Sequence, residues 1–177
     1  PSSGTPRART EHRGHRTGLS KHPLGFPLSP DGTDAQDLRN SSAGAWHFKA
    51  KAVADDGDYH HLSPGAPLSV ERHAKLENTQ ATPEPVANGD KLTVTGWLRR
   101  ANWDTNVWDD YAGKLVALQF RKSGTDTFKT VKTVTTDSAG ELRTTVTANT
   151  TGTWRRRFTG NTIATGATAQ GDRVVVS

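Results

Sequence analysis

The seven histidines are the side chains of this 177-residue chain that most invite a metal interpretation. The closest pairs are His12 with His15 and His60 with His61. Neighbouring arginines would repel a cation from the first pair, and adjacent residues of a strand point to opposite faces, which separates the second. The chain has no cysteine and no His-Glu pattern on a helix to complete a site. Solvated or partner-facing histidines are therefore favoured, and no metal site is predicted.

Carboxylates cluster at two places, residues 55–58 and the set Asp104, Asp109 and Asp110. Oxygen-rich loops of this kind suit calcium, but the EF-hand spacing that ends in a glutamate is absent. Turn chemistry explains the first group, and calcium stays open for the second. The chain also lacks the Gly-x-Ser-x-Gly turn of a serine nucleophile, and every histidine lies in the tail or the early strand segments, at or before His73. We therefore predict no catalytic residue, no cofactor and no enzymatic activity.

Aromatic side chains concentrate around a polar loop that runs from residue 102 to residue 113. Sugars stack on exposed aromatic rings, and Trp, Tyr and Arg also dominate protein interfaces. Because Trp103 and Trp108 lie beside aspartates, they are predicted to contact a partner protein or a sugar. Trp97 or Trp154 is predicted instead to pack in the core.

Positive charge is the fourth candidate feature, with a formal net charge of +5 and a run of three arginines at 155–157. A strand places Arg155 and Arg157 on one face, and no RNA-binding signature accompanies them. A solvated face is the favoured interpretation, and no nucleic-acid partner is predicted. No apolar run approaches the roughly 18 residues of a membrane helix, so no membrane partner is predicted either.

Composition divides the chain into regions that must position these residues. All nine prolines lie at or before Pro85, and the 92 residues from 86 to 177 hold 19 threonines and four of the five tryptophans. Such residues favour β-sheet. Residues 1–45 hold too few large apolar groups to form a core, so we expect an unstructured, extended tail that binds a partner. Its predicted anchors are Leu19, Leu24, Phe26 and Leu28.

Alternating polarity predicts the strands. Residues 46–54 alternate as one isolated strand that would pair with a partner chain, Trp46 and Phe48 filling pockets, or with an edge of its own sheet. Residues 46–67 therefore form an isolated strand and linker, and 68–76 provides the first strand of the next domain. Short strands separated by turns then indicate an all-β, Ig-like antiparallel sandwich over 68–177.

One residue departs from this pattern. Arg156 falls on the same strand face as Trp154 and Phe158, where an apolar residue is expected. Either its side chain reaches along the apolar surface to water, or that end of the strand is not part of the core.

Several segments carry a resemblance to a known family: ATPEPV at 81–86, GDKLTVTG at 89–96, LQFRK at 118–122, TVKTV at 130–134 and GTWR at 152–155. Over roughly residues 68–177 the chain resembles an Ig-like sandwich family of secreted actinobacterial proteins. Members with a long N-terminal extension include the small adaptor subunit of the umbrella toxin particles, which are secreted antibacterial complexes.

The resemblance implies a secreted, non-enzymatic adaptor that links a lectin-bearing, protease-fold subunit to a stalk subunit. The tail would bind the cleft of the protease-fold subunit. The start at Pro1 without a basic-then-apolar leader is read as a processed product. The alternative is a carbohydrate- or cell-wall-binding module that uses the tryptophan loop, and in an adaptor any carbohydrate contact would be made through a partner.

Overall fold

The computed structural model describes residues 38–62 and 67–177. The four predicted tail anchors at positions 19, 24, 26 and 28 lie outside these residues. Within them, no helix is long and apolar enough to cross a membrane. The described part contains one 3-10 helix, Asn40–Ser42, and strands β1 Gly44–Trp46, β2 Ala50–Val53, β3 Tyr59–Leu62, β4 Leu68–Val70, β5 Ala74–Thr82, β6 Lys91–Asn102, β7 Val107–Asp110, β8 Leu115–Lys122, β9 Lys129–Thr135, β10 Glu141–Thr147, β11 Gly152–Phe158, β12 Ala167–Thr168 and β13 Asp172–Val174.

Two antiparallel sheets form the body of the protein. The first has the order β10–β6–β5, and β7 pairs with the far end of β6. The second has the order β12–β11–β8–β9, and β13 pairs with the start of β11. The predicted all-β antiparallel sandwich is confirmed.

The inner faces of the two sheets follow the alternation of the sequence. On β6, Leu92, Val94 and Leu98 are fully buried and Gly96 is buried with them, whereas Thr93, Thr95 and Trp97 on the other face are only half-buried. On β11, Trp154 and Phe158 point inward from the facing sheet. Trp154 belongs to one core cluster and Phe158 to a second, and the inward residue between them is Arg156. Burial of these apolar side chains is the main driving force that holds the sheets together.

The prediction of one lone strand over residues 46–54 is wrong. β1 pairs with β4, which places Trp46 opposite Leu68, and β2 pairs with β3 in a hairpin. Asp56 closes the hairpin turn, because its Oδ1 accepts the backbone N–H of Asp58, while Gly57 takes a positive φ of 91°. The aspartates of this first acidic cluster are therefore turn residues.

Two boundaries also differ from the prediction. The 3-10 helix and most of β1 lie before residue 46, so regular structure begins within the segment interpreted as tail. The predicted strand 68–76 is divided into β4 and β5 around Arg72, whose backbone bridges to Ala164 instead. The predicted loop 102–113 likewise contains β7, so β6 and β7 form a hairpin.

Candidate interaction surfaces

Asn40, which precedes β1, is hydrogen-bonded to the turn between β6 and β7. The side chain of Asn40 donates to Asn102 Oδ1 at 2.7 Å and accepts the backbone N–H of Trp103 at 3.0 Å. The backbone N–H of Asn40 also donates to Asp104 Oδ1 at 3.2 Å. These three bonds hold Asn40, the first residue of the 3-10 helix, against the turn between β6 and β7.

The acidic set at 104, 109 and 110 is directed to protein donors. Asp104 accepts from Asn40, and Asp109 accepts from Asn102 Nδ2 at 2.7 Å and lies 3.7 Å from Arg72 Nη2. Asp110 lies 3.6 Å from Arg99. No group of three or more histidine, aspartate or glutamate side chains arranged to hold a metal ion occurs in residues 38–62 and 67–177.

Trp103 and Trp108, which the sequence predicts to contact a partner protein or a sugar, lie in different surroundings. Trp103 is half-buried in the turn beside Asn40. Trp108 is 37% exposed and reaches across β6 to contact two residues of the β5 side, with its ring 5.7 Å from that of His73 and 4.1 Å from Lys75 Nζ. One face of the Trp108 ring is thus occupied by a cation.

Of the two tryptophans proposed for the core, only Trp154 is buried, at 5% exposure. Trp97 is half-buried on the outer face of β6, between Glu77 of β5 and Glu141 of β10. The alternation on β6 contained this signal, because Trp97 falls on the face opposite Leu98.

We expect the chain to show no measurable retention on peptidoglycan or chitin, since neither Trp103 nor Trp108 offers an open ring backed by a second one. Trp108→Ala should instead cost about 0.5–1 kcal/mol of folding stability through the lost cation–π contact. Affinity electrophoresis and thermal melting measure the two effects. Clear retention by the wild type that Trp103→Ala or Trp108→Ala abolishes would favour the carbohydrate-binding alternative.

Trp46 is the last residue of β1, and Phe48 lies between β1 and β2. Trp46 is half-buried, its indole N–H donates to the backbone oxygen of Ser42 at 2.7 Å, and its ring is 6.5 Å from the partly exposed ring of Phe48. Trp46 therefore stabilises this chain's own turn, and Phe48 is the more exposed of the two.

The β2–β3 hairpin projects from the body with both faces in solvent. Cross-strand pairing puts Val53 and Tyr59 on one face and Ala52 with His60 on the other, and all four are exposed. Val53 and Tyr59 expose 62% and 63% of their surface. Adjacent His60 and His61 point to opposite faces, as expected for a strand. A hairpin of this size is only marginally stable alone in water.

Arg156 is fully buried between the sheets. Its Nη2 donates to the backbone oxygen of Val94 at 2.7 Å and of Leu142 at 3.3 Å. Its Nε and Nη1 have no hydrogen-bond partner among the described residues. Burial lowers the pKa of Arg156 to about 10. Gly96 lies beside the guanidinium, and a Cβ there would be 3.7 Å from Nε, an ordinary van der Waals distance. Neither sequence-based alternative is correct: the strand is core, and the side chain does not reach water.

These features define an all-β sandwich. Its β6–β7 turn is hydrogen-bonded to the 3-10 helix before β1, and its β2–β3 hairpin exposes both faces to solvent. No known family model matches the chain, and no curated protein is significantly similar to it. Among solved structures, the chain is similar to a candidate superoxide reductase from Thermotoga maritima, with a TM-score of 0.43 and 12% identity. The match covers 61% of this chain and 88% of the other.

Proposed function

We propose that this protein is a secreted, non-enzymatic adaptor of an antibacterial protein complex. In this role it links a lectin-bearing, protease-fold subunit to a stalk subunit. The resemblance of residues 68–177 to secreted actinobacterial Ig-like sandwich proteins, together with the long N-terminal extension, supports this choice of complex. The observation that carries a binding role is the β2–β3 hairpin, which exposes apolar side chains on a segment without a core.

A partner would stabilise the hairpin in two ways. Covering Val53 and Tyr59 removes apolar surface from water, at about 25 cal/mol per Å². Each outer edge of the hairpin also presents backbone groups that a partner strand can pair with. Strand addition thus remains the proposed binding mode, with a two-stranded hairpin in place of the single strand first expected.

The test uses the full chain mixed with the purified protease-fold and stalk subunits. Val53→Ser with Tyr59→Ser should abolish capture of the stalk subunit. The matched control is Leu115→Ser with Val131→Ser, which changes side chains of similar exposure, 67% and 50%, on the sandwich. This control should bind as the wild type does.

A second variant tests the tail. Changing Leu19, Leu24, Phe26 and Leu28 together to serine should abolish binding to the protease-fold subunit while the sandwich keeps its melting temperature. If both sets of variants bind both subunits with wild-type affinity, the adaptor role proposed for these segments is wrong.

A further inference from the structure

The outer face of the second sheet carries four arginines. Arg155 and Arg157 alternate with the inward side chains of β11, and Thr153 on the same face pairs with Arg121 of β8 and Arg173 of β13. Cross-strand partners share a face, so all four guanidinium groups are on this side. Gln119, opposite Arg155, adds a neutral polar group. We call Arg121, Arg155, Arg157 and Arg173 the arginine face.

The arginine face differs from the rest of the protein in its lack of counter-charges. Every ion pair among the described residues involves β5, β6, β7 or Arg72. Arg99 of β6, for example, contacts the carboxylates of both Glu77 and Asp110. None of the four arginines of the face is within salt-bridge distance of a carboxylate in this part of the chain. Glu84 lies close enough to sense the charge of Arg173, and Asp172, the residue before Arg173, accepts the backbone N–H of Ala81 on β5.

This concentration of charge has a cost. The pKa of Arg155 lies below its usual range, first because of partial burial and then because of repulsion from Arg157 and Arg121. An anionic partner would remove the repulsion, and it would bind most favourably where the cations are already in place.

The central guanidinium is held in one orientation. Arg155 stacks on Phe128 at 3.6 Å from the ring centroid, and Arg121 lies 4.9 Å from the same centroid. Arg155 Nε donates to Gln119 Oε1 at 3.0 Å. Its two terminal nitrogens are directed away from that bond, and such a pair recognises a planar carboxylate in bidentate fashion. Fixing the side chain beforehand lowers the entropy lost on binding.

The distance between neighbouring arginines of this face indicates which kind of partner would fit. Alternate residues of a strand are about 6.4–6.8 Å apart, which is the repeat of Arg155 and Arg157 along β11. An extended polypeptide with acidic residues at every second position has the same repeat. Single-stranded nucleic acid requires open aromatic rings on which bases stack, whereas Phe128 is contacted by two arginines. A flat sheet face also does not enter the groove of a duplex.

We propose that the arginine face binds an extended acidic segment of a partner protein in which aspartate or glutamate alternates with neutral residues. The arginine face shares no residue with the tail or with the β2–β3 hairpin. It can be tested without knowing the other subunits of the complex.

The probe is a short fluorescent peptide of alternating glutamate and threonine, titrated with the full chain at low and at physiological salt. A peptide of the same composition with its glutamates in one block serves as the spacing control. The variant is Arg155→Gln with Arg157→Gln. The matched control, Lys91→Gln with Arg143→Gln, removes the same charge from exposed positions on the first sheet. Arg157→Gln alone, at an exposed position, is a second variant in case the double change disturbs folding.

The alternating peptide should bind more tightly than the blocked one, and the arginine double variant should weaken it about tenfold, as expected from losing two charge-assisted contacts. Arg157→Gln should give a smaller loss in the same direction, and the matched control should change little. Equal binding of the two peptides, or equal losses in the two double variants, would contradict the proposal. Tighter binding of an oligothymidylate than of the peptide at equal salt would overturn it in favour of a phosphodiester polymer.

Discussion

Replacing Trp154 with alanine should lower the free energy of unfolding by about 3–5 kcal/mol, the range found for truncating a buried large aromatic side chain. Trp154 is 5% exposed, and its ring lies 4.6 Å from that of Phe120. Its cluster includes Leu92, Val94 and Leu118, all fully buried. These neighbours belong to strands of both sheets and cannot collapse into the space without moving a strand. The penalty therefore contains both a transfer component and a cavity component.

Trp97→Ala is the matched control, because it makes the same change on the outer face of β6, where the side chain is half-buried. Its cost should be about 1 kcal/mol, since little cavity forms at a surface that water can fill. Urea unfolding measures the loss of stability in both variants, provided that their m-values equal that of the wild type. Equal losses in the two variants would show that Trp97 contributes to the core as much as Trp154 does.

Replacing Arg156 with methionine should raise the free energy of unfolding by about 1–3 kcal/mol, as found when buried charges are exchanged for apolar residues of similar volume. The guanidinium has no carboxylate partner among the described residues and makes two bonds to backbone oxygens. Its folded pKa of about 10 lies below the usual value of an arginine, because burial disfavours the charged form. Below pH 10 both folded and unfolded chains hold the proton, so the full cost of burying the charge applies at neutral pH. That cost declines only as the pH rises above 10 toward the higher pKa of the unfolded side chain.

Arg156→Ala removes the same charge but leaves a cavity beside Gly96, so it should be about 2–4 kcal/mol less stable than the methionine variant. Denaturant midpoints of the wild type and both variants at neutral pH give the comparison. A methionine variant less stable than the wild type would show that the bonds to Val94 and Leu142 outweigh the cost of burying the charge.

Much of the sandwich was predictable because side chains of a strand alternate with a period of two. That rule correctly assigned Leu92, Val94 and Leu98 to the core, and it placed Arg155 and Arg157 together on the opposite face of β11 from Trp154. The same rule places Trp97 on the outer face, whereas the general preference of tryptophan for burial underlay the prediction that Trp97 or Trp154 packs in the core. Where the local period and residue preference conflicted, the period was correct.

The lone strand at 46–54 failed for a different reason. Alternation identifies extended backbone but does not say which other segment pairs with it. Gly57 and Asp56 form a turn that returns the chain, so β2 pairs with β3, while β1 pairs with β4 more than twenty residues later in the sequence. Pairing partners depend on turn geometry and on distant segments.

The sequence by itself determined the all-β class, the inward faces of β6 and β11 and the inward position of Arg156, because each depends only on neighbouring residues. Only the tertiary structure decided that Arg156 stays buried, since its hydrogen-bond acceptors are backbone oxygens of β6 and β10. Strand register likewise decided that Arg99 lies opposite Asp110, whereas Arg121 and Arg173 lie on either side of Thr153. Charge pairing in a sheet depends on which residues of separate strands come to lie opposite each other, and that is a long-range property of the fold.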